Sequence, residues 1–225
     1  MDTSLRRQSY RRMASTMITL ALLLFIPGGW RFWQGWVFFG LMGVLWSYFF
    51  VYLLRNNPQL LERRLRKEET QPEQRRFQKL FALFIIPGPI LAGLDFRFGW
   101  SRALGFPLAL VVAGQVATVA AYSFVFWVMK TNAFAGSTIQ VEEKQGVIDT
   151  GPYALVRHPM YLGMSVMVVG MPLALGSYAA LPLFLLVIPL LIYRLVHEER
   201  ILRRDLAGYA EYCEHTRFRL VPGVW

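Results

Sequence analysis

The chain has few of the residues on which thiol and metal chemistry depend. It contains one cysteine, Cys213, and three histidines in 225 residues. A single cysteine excludes an internal disulfide and any cysteine-rich metal site. The histidines form neither His-x-x-x-His nor His-Glu-x-x-His, the spacings that hold zinc on a helix. We therefore expect no metal site.

Motifs of soluble nucleotide-binding and hydrolase folds are also missing. The sequence has no P-loop, no Gly-x-Gly-x-x-Gly and no Gly-x-Ser-x-Gly, so a cofactor would have to be held in some other way. Acidic residues are scarce, with 14 Asp and Glu against 24 Lys and Arg and a net charge of +10. So basic a chain suits nucleic acid, but the distribution of its charges favours another explanation.

Apolar residues are in excess. The chain is 55% hydrophobic and 15% aromatic, which is too apolar for a soluble domain of this length. Several runs are long enough to cross a bilayer. We predict an all-α, polytopic integral membrane protein of about six membrane helices. The predicted runs are Met13–Pro27, Phe32–Leu54, Phe77–Leu94, Leu104–Met129, Leu162–Leu175 and Tyr178–Val196.

The basic residues are concentrated in every second one of the segments outside these runs. With the N-terminus inside, the three inner segments hold 4, 8 and 9 Lys and Arg, whereas the outer turns hold 3. By the positive-inside rule both termini are then cytoplasmic. The charge is explained by topology and by attraction to anionic lipid headgroups, so we expect no nucleic-acid partner.

Residues 149–163 form a polar, turn-rich stretch that opens into an apolar run. Gly151-Pro152 is typical of a turn, and Pro159 suits the first turn of a helix that begins just past His158. The short Gly176-Ser177 connection predicts an antiparallel hairpin of the last two apolar runs. Its first arm is short, and prolines bend the pair, so one arm need not cross the bilayer fully.

The hairpin would bring this stretch beside residues 194–200, at one rim of the membrane. Each polar residue there also has a simple structural explanation. His158 could cap its helix, Arg194 could pair with Glu198 one turn on, and Tyr161 could be an interfacial aromatic. The convergence of all of them at one rim favours a binding site.

These residues carry a resemblance to a known family. The stretch from Gln140 to the C-terminus resembles the isoprenylcysteine carboxyl methyltransferases and the related phospholipid methyltransferases. The matching elements are Gly151-Pro152-Tyr153, Arg157-His158-Pro159-x-Tyr161-x-Gly163, Glu198-Glu199, Gly208-Tyr209-x-x-Tyr212 and Val221-Pro222-Gly223.

The resemblance implies a division of the chain and a cofactor. Residues 1–102 would be N-terminal membrane helices with a loop, and residues 103–225 the methyltransferase-like core. Family members bind S-adenosylmethionine at the inner membrane face, in a pocket closed by the C-terminal segment, while a lipophilic or lipidated substrate enters from the bilayer. Likeness to bacterial members implies the inner membrane of a bacterium.

The resemblance also implies roles for individual residues. Arg194 would be catalytic and would orient a substrate carboxylate, and Glu198 would hold the polar end of the cofactor. The strand-like residues 145–148 would border the adenine. Tyr209 and Tyr212 are not carried over, because the family's motif is shifted by one residue here. The other implied cofactor residues are Gln140, Gln145, Gly146, Val147, Ile148, Tyr153, His158, Pro159, Met160 and Tyr161.

Two alternatives remain open from the sequence. Membrane sterol reductases that use NADPH resemble the same core, but they usually show Arg-Asp-Glu and Lys-Tyr-Gly-x-x-Trp where this chain has His197-Glu198-Glu199 and Ala207-Gly208-Tyr209. A non-enzymatic scaffold or transport component with degenerate motifs is the other alternative, and the intact motifs count against it.

Overall fold

A computed structural model describes residues 3–65, 72–132, 134 and 146–225. In these ranges every regular element is helical, which confirms the predicted all-α class. The elements are α1 (Thr3–Gly28), α2 (Trp33–Asn56), α3 (Pro58–Leu65), α4 (Pro72–Ile85), α5 (Pro87–Phe98), α6 (Trp100–Ala103), α7 (Leu108–Thr131), a 3₁₀ turn (Gly151–Ala154), α8 (Pro159–Ala174), α9 (Leu181–Leu185), α10 (Val187–Asp205) and α11 (Tyr209–His215).

Four segments of the described chain are long and apolar enough to cross a membrane. They are Trp33–Asn56, Arg75–Phe98, Leu108–Thr131 and Leu181–Asp205. The other two of the six predicted membrane helices are α1 and α8, and neither is among these four. α8 has only 16 residues, against about 20 for a span. The chain is an integral membrane protein.

Prolines break two of the spans. α4 ends at Ile85 and α5 starts at Pro87, while α9 ends at Leu185 and α10 starts at Val187. A proline ring clashes with the carbonyl four residues earlier, and Pro189 therefore disturbs the helix at Leu185. In the second arm of the predicted hairpin the proline effect thus occurs as a short interruption at Leu186, whereas Pro172 lies inside an uninterrupted α8 and the interruption at Ile86 was not predicted.

A seam of small residues joins α7 and α8, the most extensive helix pair of the described chain. A Cβ on Gly163 would come within 2.5 Å of Val125 Cγ2, and one on Gly170 within 2.7 Å of Thr118 Oγ1. Glycine lets the two backbones approach closely, as is common in membrane helix pairs. The start of α8, which carries the family motif, is thereby fixed against α7.

The predicted hairpin of the last two apolar runs is present, but its two arms are not the closest helix pair. The chain does reverse at Gly176, which has φ +69°, and the first turn of α8 meets the middle of α10. However, α8 packs mainly on α7 and less on α10. Because glycines permit closer approach than the large side chains of α10, the closest interface lies between α7 and α8.

The sequence after His197 predicts a charged amphipathic helix followed by an extended end, and the structure divides the helical part into two helices. α10 continues without a break to Asp205, α11 follows a left-handed Gly208 (φ +81°), and the chain after His215 is not helical. The left-handed conformation of Gly208 interrupts the helix, so α11 is a separate helix. We call residues 216–225 the C-terminal segment.

At one end of α8 lies a buried carboxylate, Asp95, which is 1% exposed. It accepts hydrogen bonds from the N–H of Ser101 (2.7 Å), from the N–H of Ala179 (3.3 Å) and from the hydroxyls of Ser101 and Ser177. These bonds tie the turn after α5 to the turn after α8. We call this region the Asp95 end, and the opposite end of α8 the Glu199 end.

Candidate functional site

The loop before α8 is shaped by its own sequence. Gly151 takes φ +58°, a left-handed conformation that favours glycine, and Pro152 starts the 3₁₀ turn. Pro159 occupies the first turn of α8, as predicted, because its missing N–H has no helical partner there. His158 is the N-cap residue, but its side chain makes no capping hydrogen bond. The imidazole is therefore available for another role.

Tyr161 and Glu198 meet at the Glu199 end. The Tyr161 hydroxyl donates to Glu198 Oε2 at 2.5 Å, and Tyr161 is buried whereas Glu198 is half-buried. A carboxylate can accept about four hydrogen bonds, so Glu198 retains capacity for a ligand. The structure thus joins two of the predicted site residues directly.

Arg194 lies beside this pair. Its guanidinium carbon is 4.7 Å from the centroid of the Phe77 ring, a cation–π contact with α4. The same guanidinium also interacts with the Tyr161 phenol. The predicted catalytic residue is therefore adjacent to the predicted cofactor carboxylate, and an aromatic ring covers one face of its planar group.

Glu199 has a different environment from its neighbour Glu198. It is 3% exposed and contacts three guanidinium groups. Its Oε1 lies 3.0 Å from Arg157 Nη2 and 3.1 Å from Arg203 Nη2, and its Oε2 accepts from Arg219 Nε at 2.6 Å. A buried carboxylate is costly unless it is paired, and these contacts pair it several times over.

His158 lies between the two glutamates and the arginines. The ring is 4% exposed, and its Nε2 is 3.9 Å from Glu199 Oε2. Burial is the largest influence and lowers the pKa of His158 below its usual 6.5, although Glu198 and Glu199 oppose this effect. His158 is therefore neutral at pH 7.

The C-terminal segment lies directly against the loop that carries His158. The N–H of Arg157 donates to the carbonyl of Phe218 and the N–H of His158 to that of Arg219, both at 2.9 Å. Arg157 Nη1 also donates to the carbonyls of Thr216 and Arg217 at 2.9 Å. Two backbone bonds and one buried guanidinium thus hold the segment beside the site.

Tyr153 belongs to a neighbouring aromatic cluster. Its hydroxyl accepts from Asn132 Nδ2 (3.0 Å), and its carbonyl accepts from the Tyr212 hydroxyl (2.7 Å). Tyr209 and Tyr212 are buried in this cluster with Leu206. Burial raises the pKa of Tyr209 and of Tyr212, so both phenols are protonated.

The remaining predicted residues are placed unevenly. Val147, like Tyr153, packs against the cluster of Leu206, Tyr209 and Tyr212. Gly146, Val147 and Ile148 have no regular secondary structure, because the described chain offers no strand with which they could pair. Met160 packs against a second hydrophobic cluster that includes Phe50 and Met129. Gln140 and Gln145 lie outside the described residues.

The residues at the Glu199 end fit the chemistry of S-adenosylmethionine. That molecule offers an ammonium, a sulfonium and ribose hydroxyls, which suit the Glu198 carboxylate and a neutral imidazole. Within the described ranges, His158 Nε2 and the Tyr209 hydroxyl are buried and have no hydrogen-bond partner. Buried polar atoms without partners are rare unless a ligand or water completes them.

Sequence reasoning did not assign roles to several residues of this end. Arg157, Arg203 and Arg219 all bind Glu199, and Tyr212 supports Tyr153. Arg203 follows Glu199 by four residues, so helical spacing alone could have indicated that pair. Arg219 is 20 residues away on a non-helical segment, and no local pattern indicates its contact.

The part of the chain that carries these residues is similar to a known protein family. Residues 109–207 match the phospholipid methyltransferase family. That family is part of the isoprenylcysteine carboxyl methyltransferase-like superfamily, so the resemblance seen in the sequence is confirmed. The matched stretch runs from α7 to the end of α10 and contains Tyr161, Arg194 and both glutamates. It supports a membrane methyltransferase.

One curated relative has a different activity in its name. The chain is 29% identical over 137 residues to the Delta(14)-sterol reductase TM7SF2 of Mus musculus. The matched stretch covers 55% of this chain and 32% of the relative. The chain thus matches about a third of the length of this relative. So partial a likeness does not favour a reductase over a methyltransferase.

Proposed function

We propose that this protein is an S-adenosylmethionine-dependent methyltransferase that acts on a lipid or lipid-like substrate with an acidic group, in the manner of the isoprenylcysteine carboxyl methyltransferases. The observation that carries the proposal is the contact of Tyr161 with Glu198, beside Arg194 and a buried, neutral His158. It places one accepting carboxylate and one cation side by side within a methyltransferase family match.

The two glutamates have different roles at this site. Glu199 is occupied by three guanidiniums and has little capacity left for a ligand. Among the described residues, the neutral Tyr161 phenol is the hydrogen-bond donor to Glu198, so the carboxylate retains capacity for a cationic ligand. A neutral His158 beside it adds no repulsion toward a cation, and its Nε2 can serve a ribose hydroxyl.

S-adenosylmethionine, when bound, supplies a methyl group that its sulfonium already activates. The protein then has to align a nucleophile and exclude water. A carboxylate nucleophile needs no general base at pH 7, and Arg194 can hold it by two parallel hydrogen bonds. We assign Arg194 this role, with Phe77 fixing the plane of the guanidinium.

A substrate can reach Arg194 from the bilayer. Tyr193 on the same turn is 54% exposed, and Ile192 is also exposed. In a membrane protein such side chains face lipid. A lipid tail lying along α10 would therefore bring its acidic headgroup to the turn that carries Arg194.

We place the Glu199 end on the cytoplasmic side, because most basic residues flank it. Single cysteines at Leu104 and at Glu214, in a Cys213→Ser background, test this orientation. An impermeant thiol reagent should label the first and spare the second in intact cells. Labelling of Glu214→Cys from outside would reverse the topology.

The function itself is tested by calorimetry on detergent-purified protein with S-adenosylmethionine and with NADPH. We expect binding of the first only. Incubation with methyl-labelled cofactor and a total lipid extract should then yield a labelled lipid that mild base hydrolyses, as a methyl ester requires. Binding of NADPH alone would favour the reductase, and binding of neither would favour a scaffold.

A further inference from the structure

The C-terminal segment is attached to the site at several points. Its carbonyls at 216–219 accept hydrogen bonds from the backbone and side chain of Arg157 and from the backbone of His158. Leu220 and Trp225 pack against the main hydrophobic core. The segment therefore lies across the loop that presents the buried His158 ring.

One side chain joins this segment to the rest of the site. Glu199 binds Arg157 of the loop, Arg203 of its own helix and Arg219 of the C-terminal segment. Arg219 in turn lies 5.4 Å from the centroid of the Trp225 ring. Three parts of the chain that are distant in sequence thus meet at a single carboxylate.

The charges make this joint dependent on Glu199. Without its carboxylate, three guanidiniums would face each other across a partly buried space, and Arg157 would be left buried without a counterion. Breaking a buried pair by removing one partner is strongly destabilising, whereas loss of an exposed pair has little effect. A change at Glu199 should therefore loosen the segment selectively.

We propose that Glu199 is a positioning residue that holds the C-terminal segment closed over the candidate cofactor pocket and thereby sets the rate at which cofactor enters and leaves. This inference rests on the proposed function. It assigns to the second glutamate a role in access, which is distinct from the direct contact assigned to Glu198.

The proposal has a kinetic signature. If cofactor passes only when the segment opens, easier opening raises the association and dissociation rates together. The equilibrium affinity then stays nearly constant as long as the closed form remains the major one. Loss of a direct contact instead raises the dissociation rate alone and weakens affinity.

The test uses Glu199→Gln, which keeps the shape and removes the charge, and Arg219→Gln, which removes the guanidinium that links Glu199 to the segment. Asp205→Asn is the matched control, because it breaks an exposed ion pair with Arg204 at the end of the same helix. Stopped-flow binding of S-adenosylmethionine gives both rate constants. Hydrogen exchange without cofactor follows the amides of Arg157 and His158.

We expect both site variants to raise the two rate constants on the order of tenfold, with dissociation constants within about threefold of wild type. Exchange at the two amides should accelerate in parallel, while α7 and α8 keep their protection. Asp205→Asn should match wild type. If Glu199→Gln does not fold, Arg219→Gln alone decides.

Unchanged rates and unchanged amide protection in the folded variants would overturn the inference. So would a loss of affinity caused by faster dissociation alone, because that indicates direct contact. If the wild-type protein binds no S-adenosylmethionine, the proposed function fails. The exchange measurement on the free protein still reports in that case whether Glu199 holds the segment.

Discussion

The two ends of α8 each bury a carboxylate, but they surround it differently. Asp95 is held by two serine hydroxyls and two backbone N–H groups, all of them neutral. Glu199 is held by three guanidiniums. The preceding residue, Glu198, carries a second carboxylate, and the Tyr161 phenol is its described hydrogen-bond donor.

The difference separates a structural site from the proposed binding site. Neutral donors from two adjacent turns satisfy the hydrogen-bonding capacity of the Asp95 carboxylate. The Asp95 end is therefore a fixed connection between helices. Three guanidiniums pair with the Glu199 carboxylate. The Glu198 carboxylate, the Arg194 guanidinium and the neutral His158 imidazole lie beside it. Changes at the Asp95 end should therefore alter stability alone, and changes around Glu198 should alter ligand binding or turnover.

The largest effect is expected at the Asp95 end. Asp95→Ala leaves buried N–H and hydroxyl groups without an acceptor, which should lower the free energy of unfolding by about 3 kcal/mol or more. Thermal unfolding in detergent measures this loss, and the folded fraction should bind S-adenosylmethionine like wild type. Asp149→Ala, at an exposed position, is the control. Weaker cofactor binding by the folded Asp95→Ala protein would remove the contrast between the ends.

Arg194→Lys should affect turnover and spare the cofactor. Lysine keeps the charge but loses the planar pair of donors that aligns a carboxylate. A nucleophile displaced by about 1 Å can lose on the order of a hundredfold in rate. The measurement is methyl transfer to the substrate identified from lipid extract, together with the dissociation constant of the cofactor.

Arg200→Lys is the matched control, because Arg200 is exposed on the same helix. If Arg194 served only as a surface ion-pair partner, worth about 0.5 kcal/mol, lysine would preserve it and turnover would stay at the wild-type rate. That result would also remove the main reason to prefer an acidic substrate over an amine.

Glu198→Gln should weaken the affinity for S-adenosylmethionine by roughly ten- to a hundredfold, since a charge-assisted hydrogen bond to a cation contributes about 1.5–3 kcal/mol. Thermal stability should change little, because Glu198 is half-buried and not the centre of an ion cluster. Calorimetry of this variant beside Glu199→Gln gives the comparison. Equal affinity losses in the two variants would make the pair purely structural.

The smallest effect concerns pH. Burial lowers the pKa of His158 in the folded protein below 6.5, so its contribution to stability is complete above pH 6.5 and is lost as the pH falls from there toward the lower folded value. The slope is at most about 1.4 kcal/mol per pH unit. Unfolding temperatures between pH 7.5 and 5 should fall less steeply in His158→Gln than in wild type. His215→Gln, at an exposed position, should keep the wild-type slope.

Apolar runs were sufficient to predict the all-α membrane class and the four segments long enough to span, but they also predicted α1 and α8 as membrane helices, and neither is among those four. The start of α8 at Pro159 followed from proline chemistry, and the reversal at Gly176 from a short connection. The packing of α8 on α7 was not predicted, because the seam depends on which faces carry Gly163 and Gly170 and on what lies opposite them. A run of apolar residues does not show which helix lies opposite each face.

The candidate site was predictable where contacts are local and not where they are distant. Helical spacing already separated Glu198 from Glu199, since neighbours on a helix point about 100° apart. The contact of Arg219 with Glu199 joins residues 20 apart across a left-handed glycine and a separate helix. Only the folded chain shows it.

The brevity of α8 has a consequence for the bilayer itself. A helix of 16 residues is about 24 Å long, roughly 6 Å less than the hydrocarbon thickness of an ordinary membrane. Both of its ends carry buried polar clusters, and we therefore expect locally thinner lipid around the protein to meet the mismatch. Such thinning would compress the acyl chains beside α8 and bring headgroups closer to the depth of His158 and Tyr161. A lipid would meet the site with its head already lowered to that depth, and would not have to rise into water to react.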